Sequence, residues 1–78
     1  MSAETYPIEL ESRQICCRSE QDRTMLQEAR NICRDARKSE DYSPERLRDI
    51  SSACCEYGLG KTGEVVAALA ERSKLRAA

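Results

Sequence analysis

Large aliphatic side chains are the scarcest component of this sequence: six Leu, four Ile and two Val make 12 of 78 residues, with no Phe or Trp beside them. That share is about 15%, below the roughly 20% at which a disorder reading begins, and only the near-zero net charge argues against disorder. The other apolar residues are nine Ala, five Cys, three Tyr and two Met, which are small or adaptable and bury modest area. A single domain of this length buries only about 60–65% of its unfolded surface even with a good core. The isolated monomer is therefore expected to be marginal, and burial shared with a partner is the expected remedy.

The longest apolar run, Val65 to Ala70, is six residues, far short of the roughly 18 that a membrane span needs. Met1-Ser2-Ala3-Glu4-Thr5 has neither the basic nor the apolar region of a signal peptide, so a cytoplasmic location is expected. There the five cysteines at 16, 17, 33, 54 and 55 stay reduced, and their odd number suits free thiols. Thirteen basic residues against 14 acidic ones, spread evenly over both halves, make neither a polyanion nor a polybasic tail.

Along the chain, residues 1–7 read as a flexible N-terminus. Tyr6, Ile8, Leu10 and Ser12 alternate with Glu9 and Glu11, while Pro7 suits a helix start, so residues 6–12 are either a short fourth helix or an extended arm. The clearest helix runs from Glu20 to Ser39, with Ser19 and Asp22 in capping-box spacing. Its apolar residues Met25, Leu26, Ala29, Ile32, Cys33 and Ala36 fall on one arc of about 120°. Ser43 caps a second helix with Pro44 in its first position, carrying Leu47, Ile50, Ala53, Cys54 and Tyr57 to a stop at Gly58. Thr62 caps the last, whose buried stripe is Val65, Val66, Leu69 and Ala70. The expected fold is all-α, a small bundle of three helices with a short N-terminal fourth helix or extended arm.

Cys55-Glu56-Tyr57-Gly58-Leu59-Gly60-Lys61-Thr62 and the helix after it resemble the nucleotide-binding motif I of chromatin-remodelling-type helicases. The resemblance implies phosphate contacts from Gly60 and Lys61 and a magnesium contact from Thr62. The same residues also read as a helix stop, a flexible glycine and a threonine cap. A phosphate loop leaves a buried strand, whereas Arg46 to Cys55 has helical period.

Cys16-Cys17 and Cys54-Cys55 are poor metal ligands, because adjacent helical residues point about 100° apart, and no His is present. No metal or cofactor is expected. Cys33 and Cys54 read as small core hydrophobes and Cys55 as an exposed thiol. Without His, or a nucleophile beside a base, an enzyme is not expected.

Arg23, Arg30, Arg34 and Arg37 project within about 60° of one another beside the apolar arc. Guanidinium groups flanking an apolar stripe suit an acidic, partly apolar protein surface. The first function expected is thus a small adaptor, chaperone or inhibitor that binds another protein or its own copy through Arg23, Met25, Leu26, Ala29, Arg30, Ile32, Arg34 and Arg37. In size and helical make-up the chain is similar to small cochaperones of type III secretion needles and to phage-encoded inhibitors, without a shared motif. The alternatives are a helix-turn-helix nucleic-acid binder turning at Gly58 to Thr62, and nucleotide binding through Gly60, Lys61 and Thr62. A nucleic-acid partner is not expected from a net acidic chain without aromatic interleaving, nor a membrane from one without a long apolar run.

Overall fold

In the computed structural model, which describes residues 5–77, the alternation near the N-terminus folds as a β-hairpin. β1 (Tyr6–Leu10) pairs antiparallel with β2 (Arg13–Cys17), Ile8 opposite Ile15 and Leu10 opposite Arg13. The period of two puts Tyr6, Ile8, Leu10, Ile15 and Cys17 on the face toward the helices and Glu9, Gln14 and Cys16 on the other. This corrects the all-α expectation: the chain is mostly helical but carries a two-stranded sheet, and residues 6–10 are a paired strand, neither helix nor free arm. Tyr6 and Pro7, read as part of a flexible terminus, belong to β1, and residues 1–4 of that reading lie outside the described residues. The hairpin turns through Glu11 and Ser12, both left-handed at φ 51° and 60°, where a two-residue loop ordinarily takes Asn or Gly.

α1 (Glu20–Arg34) begins where expected, with the Ser19 hydroxyl accepting the Asp22 N–H at 3.1 Å. It stops five residues early. Asp35 is extended, and its carboxylate accepts the Arg37 N–H, a local bond that competes with helix continuation. A 3₁₀ segment (Ala36–Asp41) follows. α2 (Pro44–Glu56) opens on Ser43, whose hydroxyl accepts the Arg46 N–H at 3.1 Å. It closes in a Schellman motif: Gly58 takes φ 75°, its N–H reaches the Cys55 carbonyl, and the Leu59 N–H reaches that of Cys54 at 2.9 Å.

α3 (Gly60–Ala77) starts two residues before the expected cap, so Thr62 lies inside the first turn. Its N–H and hydroxyl both donate to the Glu11 carboxylate from the hairpin turn. Farther along, buried Gly63 lets α3 cross close over α2. A Cβ there would stand 3.1 Å from Cys55 Sγ and 3.3 Å from the Ser51 carbonyl, and the Ser51 hydroxyl donates to the Gly63 carbonyl at 2.8 Å.

The scarcity of aliphatics is met by concentrating them. Eight of the twelve are buried together: Ile8, Leu10, Leu26, Ile32, Leu47, Ile50, Leu59 and Val66, with Ala29, Ala53, Cys54 and Ala70 between them. The hairpin roofs this core and supplies area that three helices alone lack. No helix among the described residues is long and apolar enough to cross a membrane.

Candidate protein-interaction surface

The apolar arc of α1 faces inward. Leu26, Ala29 and Ile32 are wholly buried against the chain's own hairpin and α2, which corrects their expected role as a contact surface. Met25 is half-buried on the floor of a groove of about 560 Å³ between α1 and α2, rimmed by Glu20, Asp22, Asp49 and Glu56. Cys33, expected in the core, is exposed.

The arginine ridge is also divided. Arg23 donates from Nε to the Pro7 carbonyl at 3.0 Å, and Arg30 donates to that of Glu9 at 3.2 Å. Pro7 and Glu9 occupy the non-hydrogen-bonded positions of the ladder, so their carbonyls point away from β2, and the two guanidiniums close that edge of the sheet. Arg34 ends α1 beside the hairpin turn, lining a shallow depression with Glu9 and Cys33. Arg37 has left the helix altogether, because the chain bends at Asp35.

That bend builds another groove. The 3₁₀ segment turns back toward the C-terminal half of α3, its small residues Ala36 and Ser39 facing the helix, with the Ser39 hydroxyl satisfied by the Ala36 carbonyl at 2.8 Å. Between them lies a cleft of about 480 Å³ lined by Leu69, Leu75, Arg37, Arg72 and Arg76. Leu75 is 75% exposed. Arg76 pairs with Glu40 at 3.6 Å and Arg37 with Asp35 at 3.3 Å, while Arg72 makes no ion pair among the described residues. Val65, expected in the buried stripe, is 44% exposed one turn before Leu69 on the same side of α3. Leu69, Arg72, Leu75 and Arg76 recur at helical spacing, a signal visible in the sequence but masked by the nearby Val65–Ala70 run. Arg37 alone of the expected contact residues joins this groove.

Gly60, Lys61 and Thr62 form the first turn of α3, but a helix precedes them where a phosphate loop needs a strand, and the Thr62 donors are taken by Glu11. Among the described residues no three Cys, Asp or Glu side chains gather as a metal site. Cys16 and Cys55 are exposed and Cys17 and Cys54 buried, and burial pushes the Cys54 thiol up to about 12. Comparison of the chain with protein-family models, with curated proteins and with solved structures finds no match.

Proposed function

We propose that this chain is a small non-enzymatic protein-interaction module that takes an acidic amphipathic helix of another protein into the groove between the 3₁₀ segment and α3. The carrying observation is the pairing of half-buried Leu69 and exposed Leu75 with the arginines Arg37, Arg72 and Arg76 along one groove. A helix with leucines at i, i+3 and i+7 and flanking carboxylates would cover both features at once, the arginines forming charge-assisted bonds with the carboxylates. Glu40 pairs with Arg76 and Asp35 with Arg37, so the groove's excess positive charge rests on Arg72.

This reading keeps the adaptor function drawn from the sequence and moves its surface from α1 to α3. The helix-turn-helix alternative has less support, because Glu64 and Glu71 are exposed on α3 among Lys61, Arg72, Lys74 and Arg76, and repel phosphates there. Nucleotide binding has less still, since Thr62 is engaged by Glu11.

The test is a calorimetric titration with a synthetic helical peptide bearing leucines on one face and glutamates beside them. Binding is expected to weaken as salt rises and to be lost in Arg72→Glu/Leu75→Glu, whose sites are exposed and whose melt is expected to match the parent. Absence of binding, or binding indifferent to the double substitution, would overturn the proposal.

A further inference from the structure

The two edges of the hairpin are treated differently. On β1 the outward positions are Pro7, which has no N–H, and Glu9, and both outward carbonyls are held by Arg23 and Arg30. On β2 the outward positions are Gln14 and Cys16, both exposed, and among the described residues neither makes a hydrogen bond along that edge. The open stretch is bounded by the left-handed turn at Ser12 and by Arg18, whose N–H donates to the Tyr57 hydroxyl at 2.9 Å. No proline, lysine or bulge protects it.

The geometry points to this edge as a self-association site, where β2 of a second copy pairs antiparallel about a two-fold axis at Ile15. The phase of the strand selects that register. With the axis at Ile15, Gln14 meets the second copy's Cys16 and Cys16 its Gln14, each pair exchanging both N–H···O bonds, for four bonds in all. An axis at Gln14 would need Ser12, whose φ of 60° takes it out of the strand. An axis at Cys16 would need the Arg18 N–H already given to Tyr57. An axis at Arg13 would set two guanidiniums face to face. At Ile15 the three central side chains are uncharged, so a second copy meets no like charge, and half-buried Ile15 packs on its counterpart. Two hairpins become one four-stranded sheet. This interface uses no residue of the α3 groove and stands or falls independently of it.

Sedimentation velocity of the purified chain under reducing conditions, over a rising concentration series, reads the proposal. A monomer–dimer equilibrium is expected. Cys16→Ser leaves it unchanged, since the bonds are to the backbone. Cys16→Pro removes one outward donor per copy and should weaken dimerisation about tenfold or more. Residue 16 gives no N–H to the hairpin's own ladder, and Pro7 already sits opposite, so the melt of dilute Cys16→Pro is expected to follow that of Cys16→Ser. Hydrogen exchange on the unmodified chain gives a second reading, with the Gln14 and Cys16 amides slowing as concentration rises. A chain that stays monomeric throughout, or a dimer in which those two amides exchange freely, would overturn the inference.

Discussion

The carboxylate of Glu11 lies 3.0 Å from the Thr62 nitrogen and 2.8 Å from its hydroxyl, so a hairpin-turn residue caps a helix 51 positions later in the chain. The bond answers two local difficulties at once. Glu11 and Ser12 sit in the left-handed region without the freedom of glycine, and α3 opens with unpaired backbone N–H groups in its first turn. Anchoring one to the other holds the hairpin over the core.

The anchor is pH-dependent. The Thr62 hydroxyl, then the Thr62 N–H, hold the Glu11 carboxyl below the usual carboxylate range against an opposing desolvation, with lesser help from Arg13 and Lys61. A depressed carboxyl contributes stability above its unfolded value of about 4.3 and loses it as pH falls through the lower folded value. Thermal melts of Glu11→Gln are therefore expected to lie below wild type at pH 7 and to converge with it in acid. A gap that persists unchanged at pH 2 would show that the charge is not what the anchor uses.

Gly58 ends α2 at φ 75°, and its Cβ-free backbone is what permits the two Schellman bonds. Gly58→Val is expected to cost roughly 1 kcal/mol or more, because a β-branched residue is strained there. Denaturant titration measures it, and an unchanged midpoint would contradict the capping role.

Leu26 and Ile32 are completely buried in the chain's own core. A domain of this size has about 4–12 kcal/mol of stability, and an unpaired charge in the core removes several. Leu26→Asp and Ile32→Asp are thus expected to unfold the chain outright, as read by circular dichroism. A folded Leu26→Asp that had only lost a partner would restore the α1 arc as a docking face.

Thiol accessibility separates the five cysteines. Cys16, Cys33 and Cys55 are exposed, Cys17 and Cys54 are buried, and the Cys54 thiol is pushed up to about 12, mainly by burial. A disulfide reagent at pH 8 is expected to modify Cys16 and Cys55 promptly, Cys33 more slowly because partial burial of its sulfur pushes its thiol up, and the other two only on unfolding, which mass spectrometry resolves by site. Prompt labelling of Cys54 would mean that α2 and α3 do not pack as described.

Much of the helical framework is readable from local chemistry. Ser19, Ser43 and Gly58 mark their boundaries because each acts on backbone groups within a few residues. Most of what local chemistry does not reveal depends on distant partners. The hairpin turn uses Glu-Ser where local rules ask for glycine or asparagine, and only Thr62, far along the chain, makes that acceptable. The end of α1 at Asp35 is the local exception: its carboxylate accepts the Arg37 N–H and Nε–H, while the apolar spacing continues through Ala36 and hides the break. Arg23 and Arg30 carry the right chemistry for binding an oxygen-rich surface, but the surface they bind is β1. Gly63 carries no turn signal, and its meaning lies in its contact with Cys55 and Ser51. The groove between the 3₁₀ segment and α3 is not legible in the sequence because it joins residues 36–40 to residues 69–76, a meeting that local periodicity cannot reveal.

The most direct test of the interaction groove is backbone-amide chemical-shift mapping during titration of the chain with the leucine- and glutamate-bearing helical peptide. The perturbed amides should cluster in residues 36–40 and 69–76, around Arg37, Leu69, Arg72 and Leu75, and the shifts should diminish as salt rises. Shifts centred on the α1 and α2 groove at Met25, or no saturable shifts at all, would contradict it.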